Sequence, residues 1–278
     1  MRLKGNGDYS VQICVFPSEK SGKAISFRRD ISLDGEKILH YRFFIADARL
    51  WYPNDYGEQP LYRAETYVVS RDGKTVAEYH DVFGFRKIEM RPNADGDDDE
   101  SYNWQLTING REIFLKGANW CTLDALLRFP EEKYERFLKL AKQQHINMLR
   151  AWGGGMPESD TFYRLCDEYG IMVFQEWPTC WDSHKTQPLT ELLELVTQHT
   201  IRLRNHPSLI LWAGGNESIL ADGPQMDEMI KLAYELDGTR PFHRTDPCGK
   251  GTIHNYDTYW LMYDMDASLK LEGRFKGE

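Results

Sequence analysis

Long apolar runs are missing from this chain: nowhere do 18 apolar residues follow one another, so no bilayer-spanning helix is expected. Cysteine is sparse and unpatterned. The five, Cys14, Cys121, Cys166, Cys180 and Cys248, are odd in number, far apart, and show no C-x-x-C or Cys/His spacing. Free thiols are expected, with neither a disulfide framework nor a zinc site, and nothing in the chain has metal-ligand spacing. Positive charge is short as well, since 34 Lys and Arg against 43 Asp and Glu leave a formal net charge of −9. That balance argues against nucleic acid and an anionic membrane as partners. No Gly-x-Gly-x-x-Gly follows a strand-like run, which removes the dinucleotide fingerprint. The opening Met1-Arg2-Leu3-Lys4-Gly5-Asn6 has no apolar stretch and is not expected to be a signal peptide.

What is there is a core-forming composition in 278 residues, 41% of them hydrophobic and 13% aromatic. That length suits one large domain or two ordinary ones. Residues 1–108 read as all-β. The stretches 11–16, 39–45 and 61–69 have strand composition, and Arg71-Asp72-Gly73-Lys74 is a hairpin turn signal. Strands recurring with turn residues between them predict a β-sandwich. The acidic stretch Asp95-Gly96-Asp97-Asp98-Asp99-Glu100 gathers hard oxygen ligands, but its glycine falls second. A solvated hairpin tip is therefore expected in preference to a calcium loop.

From about residue 104 the pattern changes. Residues 105–115 read as strand, turn and strand, and Lys116-Gly117-Ala118-Asn119-Trp120 as a polar exit. Pro130 then opens a helix whose apolar positions Tyr134, Phe137, Leu138 and Ala141 share a face. A strand at 145–152, a helix at 158–169 stopped by Gly170, a strand at 171–176, a helix at 190–204 and a strand at 209–212 follow. A helix at 225–236 and strands near 240–245 and 253–257 continue the series. Alternation of this kind implies parallel strands with helical crossovers. Successive strands end in Asn119-Trp120, Arg150 with Trp152, Gln175-Glu176-Trp177, and Asn216-Glu217. Polar clusters at consecutive strand ends are the habit of a (β/α)8 barrel, with a doubly wound sheet as the alternative. The expected organisation is a β-sandwich over 1–108 and the N-terminal portion of a barrel over 109–278.

The most informative run is Arg204-Asn205-His206-Pro207-Ser208-Leu209-Ile210-Leu211-Trp212-Ala213-Gly214-Gly215-Asn216-Glu217. Pro207 ends the helical pattern and biases His206 toward an extended conformation. Residues 208–213 are apolar without alternation, as in a strand covered on both faces. Two glycines permit a sharp turn, and an amide and a carboxylate then stand together at the strand end. This run resembles the signature of the family 2 glycoside hydrolases, and its Gly-Gly-Asn-Glu ending is most like the β-mannosidase and endo-β-mannosidase members. Residues 50–62, Leu-Trp-Tyr-Pro-Asn-Asp-Tyr-Gly-Glu-Gln-Pro-Leu-Tyr, resemble a stretch of that family's immunoglobulin-like domain, and 83–89 resemble its closing strand. The resemblance implies an immunoglobulin-like β-sandwich followed by a (β/α)8 TIM barrel, an oligosaccharide substrate and no cofactor.

It also implies roles for single residues. Glu217 is the general acid/base, and Asn216 holds the sugar 2-hydroxyl. Arg150 and Trp152 match an Arg-x-Trp-Gly-Gly-Gly motif in which the Arg supports the catalytic carboxylates and the Trp lines the sugar pocket. A buried structural Arg is the other reading. Trp120 and Asp124 stand where Gly-x-Asn-Trp-x-x-x-Asp contacts the non-reducing sugar, although Cys121-Thr122-Leu123 lacks the Pro that usually precedes that Asp by two in β-mannosidases. For Glu176, hydrogen-bond support is expected ahead of direct catalysis. Trp177, like Trp181 and Trp260, either stacks on sugar or belongs to the core and rim. His254 and Tyr256 resemble a His-x-Trp/Tyr pair after strand six and are expected to bind substrate. His206, at the far end of its strand, is expected to be structural.

Hydrolysis with retention needs a second carboxylate about 5–5.5 Å from the first, acting as nucleophile. The family's Ser-Glu-Phe-Gly-like nucleophile context is not found here. Glu272, followed by Gly273-Arg274-Phe275, departs from it and stands too soon after strand six. By this resemblance the sequence reads as the truncated barrel of a retaining exo-β-glycoside hydrolase acting on β-linked oligosaccharides, most like a β-mannosidase, and the chain is expected to be inactive alone. Two further readings stay open: another specificity of the family (exo-β-glucosaminidase, β-galactosidase or β-glucuronidase), or a non-catalytic carbohydrate-binding or scaffold protein.

Overall fold

The structure, a computed structural model, describes residues 1–19, 24–92, 104–181, 183–217 and 224–245. It divides into two compact units, Met1–Trp51 with Gln59–Phe85, and Tyr52–Glu58 with Arg86–Glu278. The first is an antiparallel sheet of β1 (Arg2–Pro17), β2 (Ile25–Ile38), β3 (Tyr62–Ser70) and β4 (Thr75–Phe83), in the order β2-β1-β3-β4. Alternation of side chains along a strand puts Val11, Ile13 and Val15 of β1 on one face, joined by Ile31 and Leu33 of β2 and Val68 of β3. The turn expected at Asp72-Gly73 joins β3 to β4, with Gly73 at a φ of 85°. The strand expected at 39–45 does not form. Met1 and Leu39 exchange backbone hydrogen bonds at the end of the β1–β2 ladder, and the chain then leaves the sheet. Leu39, Tyr41 and Ile45 instead join the apolar cluster of this unit.

The second unit begins with an antiparallel sheet of β5 (Ile88–Pro92), β6 (Trp104–Ile108) and β7 (Arg111–Ile113). Strands β5 and β6, grouped by composition with the β-rich half, thus fall on the far side of the compact division at Phe85. A five-stranded parallel sheet follows, built from β8 (Gly117–Trp120), β9 (Met148–Ala151), β10 (Met172–Glu176), β11 (Leu209–Ala213) and β12 (Phe242–His243). Its crossovers contain helices α1 (Glu131–Gln143), α2 (Asp160–Tyr169), α3 (Leu189–Leu203) and α4 (Pro224–Leu236). The strands lie side by side in chain order. A doubly wound sheet reverses its order at a switch point, whereas a barrel adds each strand beside the last. These are the first five strands of a barrel, and the class of the described residues is β plus α/β. One element differs from expectation: the first barrel strand is the polar exit 117–120 itself, while Arg111–Ile113 belongs to a hairpin. Gly117, Ala118 and Asn119 are poor strand formers, and pairing with β9 imposes the extended conformation.

Helix faces follow their apolar periodicity with small corrections. Tyr134, Leu138 and Ala141 of α1 are buried, but Phe137 lies outward. Helix α2 is capped by Ser159, whose hydroxyl accepts from the Phe162 N–H, and ends on Gly170 in the left-handed conformation. Among the described residues no helix is long and apolar enough to cross a membrane.

The start of β11 is gripped by charge. Arg86 donates to the carbonyls of Pro207 (3.0 Å) and Leu209 (2.9 Å). Arg240 donates to Leu209 O (2.6 Å) and His206 O (2.8 Å) and pairs with Asp237 (2.6 Å). From α2, Asp167 accepts the Ser208 N–H (3.0 Å) and bonds the His206 ring (2.6 Å). Trp212 Nε1 donates to Asp237 (2.8 Å), so the strand and its entry turn share one buried network. Burial works to raise the Asp237 pKa, but the Arg240 charge and hydrogen bonds from Thr239, Trp212 and Arg240 outweigh it, and the carboxyl is held below its ordinary value. The resulting stability is complete above the unfolded carboxylate value near pH 4 and is lost as pH falls through the lower folded value. Asp237→Asn leaves the Arg240 charge buried without its partner and should cost roughly 3–5 kcal/mol in urea unfolding. The variant's stability should also fall less steeply than the parent's below about pH 4.

Candidate active site

Four consecutive strand ends meet at one guanidinium. Arg150 of β9 donates to Glu176 Oε1 of β10 from Nε (3.0 Å) and Nη2 (2.7 Å). Its Nη2 also reaches Asn216 Oδ1 beyond β11 (2.6 Å), and its Nη1 reaches Asn119 Oδ1 of β8 (3.1 Å). The other oxygen of Glu176 accepts the Gly153 N–H (2.6 Å). The Glu176 side chain is fully buried and that of Arg150 is 13% exposed, so the pair is a charge-assisted contact largely out of water. Asn216 is buried and held on every side. Its N–H donates to Thr179 O (3.1 Å), its carbonyl accepts the Trp181 N–H (2.9 Å), and Nδ2 meets Cys180 Sγ at 3.4 Å. Burial pushes the Cys180 thiol up, opposed by that hydrogen bond from Asn216. Glu217 is exposed, at a φ of 51°, and its Oε2 accepts the indole N–H of Trp181 (2.6 Å). A carboxylate free to meet solvent therefore follows directly on an amide that the strand ends immobilise.

Residues 101–274 match the family model described as "Glycosyl hydrolases family 2, TIM barrel domain", and residues 4–86 match "Glycosyl hydrolases family 2". The chain belongs to glycoside hydrolase family 2. Among similar family members is a mannosylglycoprotein endo-beta-mannosidase of Lilium longiflorum, 35% identical over 204 residues, which are 68% of this chain and 21% of that protein. Another is beta-mannosidase B of Emericella nidulans, 34% identical over 208 residues, or 73% of this chain and 23% of the relative. The chain thus spans under a quarter of either relative's length. The crystal structure of a beta-D-mannosidase from Dictyoglomus thermophilum superposes with a TM-score of 0.77 at 32% identity, covering 88% of this chain and 32% of that one.

Within this family 2 frame, the residues singled out by sequence fare differently. Arg150, Glu176, Asn216 and Glu217 come together at the strand ends as described. Trp152 meets Trp181 edge to face with centroids 6.4 Å apart. Trp120 turns toward the helix layer, where its Nε1 donates to Glu158 (2.8 Å) and its ring packs on Phe162 and Tyr134. Asp124 accepts from Lys133, Arg128 and the Leu126 N–H, and the Lys133 bond above all holds its carboxyl well below the usual range. Trp177 is a correction to the substrate-binding set. It is fully buried, stacked on Trp212 (5.7 Å) and packed against Phe242 (5.1 Å), so it is a core aromatic. His254, Tyr256, Trp260, Glu272 and the acidic stretch 95–100 lie outside the described residues. Among those described, no group of three or more His, Cys, Asp or Glu side chains is arranged to hold a metal.

The sequence reading passed over Asn119 as a partner of Arg150, and Thr179 and Cys180 as supports of Asn216. Thr179 explains the second glycine of Gly-Gly-Asn-Glu, and Arg244 and Met226 explain the first. A Cβ on Gly215 would fall 2.0 Å from Thr179 Oγ1, and one on Gly214 would fall 2.4 Å from both the Arg244 carbonyl and Met226 Sδ. Gly215→Ala should therefore force the tip apart, costing about 1–3 kcal/mol of stability. Loss of the Asn216–Arg150 contact in a crystal structure of the variant is the accompanying expectation.

Proposed function

We propose that the chain is part of a retaining β-glycosidase that acts on β-mannosides of oligosaccharides, with Glu217 as general acid/base. The observation that supports this most is the exposed Glu217 carboxylate beside an Asn216 amide oriented by Arg150 and Glu176. In such a reaction Glu217 gives a proton to the leaving glycosidic oxygen, then takes one from the water that releases the sugar. Asn216, with Oδ1 committed to Arg150 and one Nδ2 proton facing Cys180 Sγ, keeps the other amide proton for a sugar hydroxyl. Glu176 has both oxygens engaged, by Arg150 and by the Gly153 N–H, and so serves to hold Arg150. The nucleophilic carboxylate is assigned to none of the described strand ends. Mannose is favoured by the β-mannosidase names of the relatives at 34–35% identity.

The test is mass spectrometry of the full-length gene product that contains this sequence, after incubation with 2-deoxy-2-fluoro-β-mannosyl fluoride. Such a reagent accumulates the covalent glycosyl-enzyme of a retaining catalyst. The expected result is a one-sugar adduct on a carboxylate other than Glu217 and Glu176. An adduct on Glu217 would reverse its assigned role. Silence with manno, gluco and galacto probes alike would favour a binding or scaffold protein.

A further inference from the structure

Trp181, which the sequence leaves between sugar stacking and the core or rim, is the side chain bonded to Glu217. Its indole N–H donates to Oε2 at 2.6 Å, and its own backbone N–H is tied to the Asn216 carbonyl at 2.9 Å. Its neighbour Cys180 forms a parallel bridge with Asn216. The loop after β10 is thereby fastened to the tip of β11 by backbone and side chain together. Two conformational observations single out this junction. Trp181 and Glu217 both adopt left-handed backbone angles, with φ of 50° and 51°. For bulky residues that region is sparsely populated and is held only where surroundings impose it, most often at functional sites. Trp181 is also 67% exposed, an unusual state for an indole packed edge to face against Trp152.

We infer that Trp181 positions the Glu217 carboxylate and presents its exposed ring to the leaving sugar of a β-linked substrate. The inference rests on the proposed role of Glu217 and goes beyond it. A general acid must approach the oxygen of the leaving group within hydrogen-bond distance. An indole hydrogen-bonded to that same carboxylate then stands on the leaving-group side of the scissile bond. Its flat apolar face with a polar edge suits the CH face of a pyranose, while the N–H is already committed to the acid. The site is accordingly built for a sugar as leaving group, with Trp152 at the corner of the same platform. Around this pair, Arg150 from β9, Glu176 from β10 and the Cys180 thiol supply the nearby charged and titratable groups.

The test is NMR of the indole N–H signals of the full-length gene product that contains this sequence, with 15N-labelled tryptophan. The Trp181 signal is assigned by its loss in Trp181→Phe. It should lie downfield in the parent, move upfield in Glu217→Ala, and, in the slow Glu217→Gln variant, shift when β-1,4-linked mannobiose is added, while mannose alone perturbs it less. Trp181→Ala should weaken mannobiose binding by up to about tenfold, the worth of one such aromatic contact. A Trp181 signal unmoved by Glu217→Ala overturns the positioning role. Mannobiose that perturbs Trp152 but leaves Trp181 untouched overturns the leaving-group role alone. If mannobiose perturbs no signal, the glycosidase reading of this site falls, and the leaving-group role falls with it.

Discussion

A guanidinium withdrawn from water at the open end of a parallel sheet needs oxygen and opposite charge around it, and Arg150 finds both on its neighbours. Asn119, Glu176 and Asn216 come from three other strand ends, and each supplies an oxygen to the same side chain. The contact is demanding in both directions. Buried ion pairs gain little net stability over apolar packing, but removing one member leaves an uncompensated charge. Selection of such a pair makes sense where its value is geometric, and here the geometry it sets is that of Asn216, one residue before Glu217. The Gly153 N–H completes the arrangement by occupying the second oxygen of Glu176.

The opposite end of β11 is held with equal firmness and by similar means. Arg86 and Arg240 share the carbonyl of Leu209, while Asp167 and Asp237 balance their charge. His206, Pro207 and Ser208 are thus a gripped turn, which gives the Arg-Asn-His-Pro-Ser stretch its structural meaning. Between the two networks runs a strand with all five residues buried. A strand pinned at both ends can hold its tip at the precision chemistry requires. The backbone angle of Glu217 and the close packing of Gly214 and Gly215 are tolerated because the strand beneath them cannot shift.

How much of this is legible in the sequence depends on where each feature's cause lies. The alternation of strands and helices and the polar residues at successive strand ends are local signals, and they locate Arg150, Glu176, Asn216 and Glu217. Strand β8 is hidden because Gly-Ala-Asn-Trp becomes extended only through pairing with β9. Strand β2 is hidden because the polar and charged residues of Ile25–Ile38 outnumber its inward apolar positions. The stretch 39–45 misleads in the reverse sense, having strand composition while serving as irregular cover for the sheet. Trp177 follows Glu176 in the chain, and a substrate-facing aromatic is a natural reading. Neighbouring side chains along an extended chain point opposite ways, however, and Trp177 joins Trp212 and Phe242 in the core. The contributions of Thr179 and Cys180 arise from the approach of one loop to another strand's tip, which no local pattern encodes.

The central claim is that Glu217 is the proton-transferring carboxylate of a retaining site, and chemical rescue tests it most directly. In the full-length gene product, Glu217→Ala should still accept the sugar from an aryl β-mannoside with a good leaving group, because such a group needs no proton. Release should then be slow for want of a general base, and added azide should restore turnover and yield the β-mannosyl azide. No rescue by azide, or an azide product of inverted configuration, would contradict the account.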